Sequence, residues 1–93
     1  MGKLECFRIS GVDCWFYSND HRPPHFHAKR RGQWEVRVYF LRARRDMVEL
    51  KWVARGCRFT ETTAICDLAE AHRDKLLEEW EKKVKCDEDD EAD

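Results

Sequence analysis

Apolar and polar positions alternate through most of the first half of the chain, and then apolar residues recur every three or four positions near its end. The first pattern predicts strands and the second a helix. "KLECFRI" and "VDCWFYS" flank Ser10-Gly11, a turn-favouring pair that suits a tight hairpin. A two-residue turn there pairs Ile9 with Val12 and Phe7 with Cys14. It collects Phe7, Ile9, Val12, Cys14 and Phe16 on one face and sets Arg8 opposite Asp13 on the other. "NDHRPP", residues 19–24, is a connection, because Asn and Asp make local turns and the two prolines fix φ and remove backbone donors.

A third strand starts near His25, and the fourth is "QWEVRVYF", with Trp34, Val36, Val38 and Phe40 on one face. Register decides where the histidines point. A two-residue turn at Arg31-Gly32 would place His25 and His27 among the valines. A three-residue loop, Arg30-Arg31-Gly32, would use Gly32 at its left-handed position. It would pair Ala28 with Trp34 and Phe26 with Val36, leaving the imidazoles beside Glu35 and Arg37. A one-residue slip flips every side chain, so burial of Phe26 favours the second register. His25 and His27 are therefore expected on the less buried face.

A polar connection, "RARRD", leads to a fifth strand, "MVELKWV", expected to bury Val48, Leu50 and Trp52. One long helix is predicted from about Glu61 to about Lys85, with Thr60 as its N-cap. Ile65, Leu68, Ala69, His72, Leu76, Trp80 and Val84 form its apolar stripe. Glu78–Lys82, Glu79–Lys83 and Glu81–Lys85 are favourable i,i+4 pairs. The tail "CDEDDEAD" has almost no apolar content and is expected to be disordered. The predicted fold class is α+β: a small curled antiparallel sheet of about five strands with one long C-terminal helix packed on it. Residues 1–85 would form this single domain and residues 86–93 an acidic tail.

Ninety-three residues allow one modest core, and 42% apolar content is too high for a chain disordered throughout. No apolar run approaches a membrane span and no secretory signal is visible, so a cytoplasmic protein is expected. The five cysteines are odd in number and include no CxxC pair, which favours reduced thiols over disulfides or a cysteine-based zinc site. Net charge is only −1, but residues 1–58 carry 13 Lys and Arg against 6 Asp and Glu, whereas residues 59–93 carry 5 against 13. The two parts of the chain have opposite sign.

The stretch from Phe16 to Ala28, "FYSNDHRPPHFHA", resembles the signature of a bacterial family known as domain of unknown function 4160. Its members carry an aromatic pair, an N-D-H-x-P-P-H-F-H-A block and a closing helix similar to "LAEAHRDKLLEEW", here Leu68 to Trp80. The resemblance covers most of residues 5–80. It implies a bacterial origin, and a gene neighbourhood of the toxin–antitoxin or regulatory kind in which a small protein encoded nearby is the partner.

Within that block, strand alternation sets His25 and His27 on one side, roughly 7 Å apart, a spacing at which two imidazoles can grip one metal ion. Asp20 or His21 could supply a third ligand and His72 a fourth. The cofactor is left open, with a divalent metal such as zinc as the candidate. An incomplete protein shell leaves room for water and hence hydrolysis. Without a metal, the histidine pair beside Arg73 could cleave RNA by acid–base chemistry, which makes His25, His27, His72 and Arg73 the catalytic candidates. The competing reading is structural: a turn in which Asp20 orients an imidazole, and His72 as a packing residue.

A basic surface points elsewhere. Lys29, Arg30, Arg31, Arg37, Arg42, Arg44 and Arg45 concentrate in strands three and four and the loops after them, followed by Lys51, Arg55 and Arg58. Such a surface attracts phosphates or an acidic protein. Trp15, Tyr17 and Tyr39, on faces expected to be partly exposed, could stack on bases. The acidic tail could cover the arginines, hold a homodimer, or simply keep the protein soluble. The sequence thus favours a binding module for nucleic acid or an acidic partner protein. The alternative is a histidine-centred nuclease or hydrolase built on His21, His25, His27 and His72.

Overall fold

A computed structural model describes residues 2–84 of the chain. The acidic tail and the domain boundary at residue 85 lie outside the described residues. Five strands form one antiparallel sheet in chain order: β1 (Gly2–Lys3), β2 (Asp13–Phe16), β3 (Phe26–Arg30), β4 (Trp34–Val38) and β5 (Val48–Val53). One short turn of helix, α1 (Arg44–Met47), precedes β5, and two helices follow it, α2 (Thr62–Ala71) and α3 (Arg73–Lys83). The α+β architecture read from the sequence is the one observed.

The first hairpin turns where the Ser10-Gly11 pair predicts. Ile9 bridges Val12, and Gly11 takes φ +75° with the Arg30 guanidinium lying where a Cβ would stand. The pairing does not continue from Phe7 to Cys14. Beyond the turn the first arm leaves the ladder and rejoins it three residues out of step, with Leu4 N–H donating to the Cys14 carbonyl and Lys3 opposite Trp15. Glu79 on α3 holds the detached segment, accepting from the amides of Glu5 and Cys6 at 2.9–3.2 Å.

Between β3 and β4 the chain makes a three-residue loop with Gly32 at φ +78°, so the predicted glycine role is correct. The loop is Arg31-Gly32-Gln33, closed by Gln33 N–H on the Arg30 carbonyl at 2.9 Å. The register is therefore Phe26 with Val38, His27 with Arg37 and Ala28 with Val36. It differs by two residues from the predicted pairing, which preserves every side chain's face.

Phe16, Phe26, Ala28, Trp34, Val36 and Val38 line the covered face of the sheet, joined by Phe40 and Met47. Ile65, Cys66 and Ala69 of α2, Leu76 and Trp80 of α3, and Val84 just beyond it complete the core, as the helical spacing requires. The single long helix is corrected to two, because the backbone at His72 (φ −114°, ψ 21°) leaves helical geometry. Phe7 packs against the His72 ring at 5.3 Å, and Arg73 Nε donates to the Phe40 carbonyl at 2.7 Å, so contacts on either side of the break tie both helices down. Thr60 is not the cap. Glu61 occupies that position without a side-chain cap, because its carboxylate is bound by Arg30.

The fifth strand forms, but its predicted burial fails. Leu50 is 48% exposed and Trp52 39%, and Val48 is only partly buried. A register shift beside Glu35 and Val36 sets Trp52 opposite Glu35, to whose Oε1 the indole N–H donates at 3.2 Å. Trp52 is thereby turned to the face away from the helices, and β5 as the last strand of the sheet lies at its margin.

Candidate functional site

The face of the sheet opposite the main core carries a continuous band of rings. Trp15 stacks on His27 at 5.5 Å, Tyr17 meets His27 edge to face at 4.7 Å, and His27 meets His25 at 5.0 Å. His25 then meets Tyr39 at 5.0 Å, and the Arg42 guanidinium caps Tyr39 at 4.1 Å. Period-two alternation on β2, β3 and the end of β4 produces this band, with Phe16, Phe26 and Val38 sent to the core side.

The expectation that His25 and His27 are little buried is overturned: they are 6% and 3% exposed. They occupy the predicted face. What covers them is the segment from Tyr17 to Pro24, folded back across the sheet. Asp20 closes this segment locally, its amide donating to the Tyr17 carbonyl at 3.2 Å and its carboxylate accepting from the Tyr17 amide at 3.0 Å. The same carboxylate accepts from His27 Nε2–H at 3.1–3.2 Å. Trp80 approaches His25 from the helical layer at 5.7 Å. Trp15, expected to be partly exposed, is 9% exposed, whereas Tyr17 stays open at 40%.

His25 Nδ1–H donates to the Pro23 carbonyl at 2.9 Å, which fixes the tautomer and turns Nε2 to within 3.7 Å of Asp20 Oδ1. Burial pushes the His25 pKa below its ordinary value despite that hydrogen bond and the nearby Asp20, so the imidazole is neutral at pH 7. Burial alone would raise the Asp20 carboxyl. Hydrogen bonds from His27 and the Tyr17 amide outweigh it and hold the carboxyl below its usual range. A neutral imidazole and an ionised carboxylate are the protonation states a metal ion requires. His27 Nδ1 is buried without a hydrogen-bond partner.

Of the predicted metal and catalytic candidates, Asp20, His25 and His27 come together, with one ligand atom from each within 4.8 Å of the others. His21 is exposed and outside this group, and His72 sits at the helix break against Phe7. Arg73, expected to assist the imidazole pair, donates instead to the Phe40 carbonyl at 2.7 Å.

The basic candidates divide into two sets. Arg30 makes two hydrogen bonds to Glu61 at 2.8 Å each, Arg37 binds Glu49 at 3.3 Å, and Arg44 pairs with Asp67 and Glu70. Arg30 and Arg44 thus meet carboxylates from the acidic part of the chain, and Arg37 meets one from its own part. Lys29 is half-buried, whereas Arg31, Arg42 and Arg45 remain exposed, Arg31 and Arg45 reaching carboxylates only at 3.9–4.0 Å. Lys51, Arg55 and Arg58 are exposed and make no ion pair among the described residues. Glu49, Glu61, Asp67 and Glu70 were missed as partners of the arginines; the charge asymmetry was the signal for the last three, whereas Glu49 lies within the basic part itself.

Fold and site together define a small α+β protein with a meandering antiparallel sheet, a buried His–Asp cluster on one face and a partly apolar edge. The chain belongs to the family described as Domain of unknown function (DUF4160), whose model matches residues 11–81. No curated protein and no solved structure matches it significantly. Among the described residues no helix is long and apolar enough to cross a membrane.

Proposed function

We propose that the protein is a binding module that captures an acidic partner protein along β5, in a two-protein toxin–antitoxin-like or regulatory pair of the kind the family resemblance implies. The observation that carries this reading is the outer edge of the sheet. β5 ends the strand order, so among the described residues one side of its backbone has no neighbouring strand, and Leu41, Leu50, Trp52 and Val53 are 39–48% exposed on and beside it. Edge strands with exposed apolar side chains can accept a further strand.

Cations flank this edge: Arg42 and Arg45 before the strand, Lys51 within it, Arg55 and Arg58 after it. An extended acidic segment would gain main-chain hydrogen bonds, contact with the half-exposed apolar residues worth roughly 1 kcal/mol each, and charge complementarity that speeds encounter. The histidine-centred hydrolase reading has less support, because both imidazoles are buried under their own loop. Protein is favoured over nucleic acid because the exposed residues of this edge include Leu41, Leu50 and Val53, aliphatic side chains that offer a phosphate backbone nothing.

Fluorescence anisotropy with a labelled ten-residue peptide of alternating Glu and Val, set against a single-stranded RNA, tests the assignment. The peptide is expected to bind, and Arg45→Glu with Arg55→Glu, or Leu50→Asp, should weaken it at least tenfold while the protein stays folded. RNA bound in preference to the peptide, or peptide binding indifferent to these changes, would overturn it.

A further inference from the structure

We propose that Asp20, His25 and His27 form a binding site for a divalent cation of the zinc class, independent of docking at β5. Two imidazole nitrogens and one carboxylate oxygen are a donor set suited to zinc, cobalt or nickel rather than to magnesium or calcium, which prefer oxygen.

The spacing fits such an ion. With bonds of about 2.0–2.1 Å, a tetrahedral ion separates its donors by about 3.3–3.4 Å. Asp20 Oδ2 lies 3.1 Å from His27 Nε2, and Asp20 Oδ1 lies 3.7 Å from His25 Nε2. These two separations, made through different oxygens of Asp20, lie either side of the required value, and one ligand atom from each of the three residues falls within 4.8 Å of the others, so gathering them on one ion takes a small inward shift of the side chains. A chance surface cluster would not be held this way: both rings are more than nine-tenths buried and Asp20 is anchored at both ends of its turn.

The second observation is the orientation of His25. Its Nδ1–H is tied to the Pro23 carbonyl, which commits the Nε2 lone pair to the direction of Asp20 Oδ1, itself an acceptor. Two acceptor atoms turned toward each other in a buried setting are stabilised by a cation between them. A metal-bound histidine usually has its other ring nitrogen held by a carbonyl or carboxylate in this manner. Binding would move the His27 proton from Nε2 to Nδ1. Nδ1 has no partner to lose, so the exchange breaks no hydrogen bond at that atom. Three protein ligands leave a fourth position for water or for a group from outside the described residues. Because the loop covers the rings, the ion would lock Tyr17–Pro24 onto the sheet.

Protein stripped with a chelator and titrated with Zn²⁺ by calorimetry should bind one equivalent. With Co²⁺ it should develop the strong visible bands of a four-coordinate ion. In NMR, the ring nitrogens of His25 and His27 should shift together. His25→Gln and Asp20→Asn should each weaken binding by at least tenfold, whereas His21→Ala, His72→Ala and Cys6→Ser with Cys14→Ser should not. If a ligand variant fails to fold, the imidazole shifts of the unaltered protein decide alone. No binding to the folded, unaltered protein, or binding that leaves the two imidazole signals in place, would overturn the assignment.

Discussion

Replacing Asp20 by alanine should destabilise the protein far more than its place in a loop suggests. Its side chain is only 11% exposed and accepts from His27 Nε2–H at 3.1–3.2 Å and from the Tyr17 amide at 3.0 Å. Tyr17 is open to water, which can replace that second bond. His27 is 3% exposed and its Nδ1 already lacks a partner, so the substitution strands both ring nitrogens. A hydrogen bond to a charged group contributes about 1.5–3 kcal/mol and an orphaned buried donor costs about 1–3 kcal/mol. The two overlap, giving a loss of about 2–4 kcal/mol and a fall in Tm of roughly 10–25 °C for a domain of this size. Urea and thermal unfolding followed by circular dichroism, with a chelator present to remove any metal contribution, measure it. The mechanism makes a second demand. Asp20→Ala with His27→Phe removes donor and acceptor together and keeps a ring against Trp15, so the double variant should be more stable than Asp20→Ala alone. A loss below about 0.5 kcal/mol for Asp20→Ala, the range of an ordinary surface change, would refute the reasoning, as would a double variant less stable than the single one.

Other consequences are open to measurement. Phe26→Ala should cost about 3–5 kcal/mol, whereas Leu50→Ala at the exposed edge should cost less than about 1 kcal/mol; equal losses in denaturant titrations would contradict the assignment of core and edge. Burial by itself raises the Glu79 carboxyl, but the Glu5 amide, Lys83 and the Cys6 side chain outweigh it and hold the pKa below its ordinary 4.5. A lowered folded value contributes stability fully present above the unfolded pKa and lost as pH falls through the folded one. The unaltered protein should therefore lose stability below about pH 4.5 and Glu79→Gln should show a shallower acid limb; parallel pH profiles would count against the clamp. Burial pushes the Cys6 and Cys14 thiols up to about 12, so peptide mapping after iodoacetamide treatment at pH 8 should find both slow to react. Alkylation within minutes would show that the N-terminal segment opens readily.

Much of the fold is legible because its signals are local. Ser10-Gly11 and Gly32 mark turns through backbone freedom that glycine alone has at low cost, and the stripe from Ile65 to Val84 marks the helical layer by spacing. Alternation assigned His25 and His27 to the same face, and the block "DHRPPHFH" pointed to Asp20 beside them. Other features depend on what residues distant in sequence do to one another. Periodicity says which face a histidine occupies, but only the return of Tyr17–Pro24 over the sheet decides that this face is buried. Apolar alternation predicted a buried fifth strand, yet the shift beside Glu35 and the limited reach of the helices left Leu50 and Trp52 open. The arginines looked like a surface for an outside anion until Glu49, Glu61, Asp67 and Glu70 met them across the fold.

The sequence by itself determined the elements, their faces and the residue types available for chemistry, since each follows from steric and hydrophobic preferences acting over a few residues. Tertiary structure decided which imidazoles converge on a carboxylate, which cations remain exposed and how far the edge strand β5 is buried. Those outcomes depend on contacts between positions tens of residues apart, and short-range preference carries no record of them.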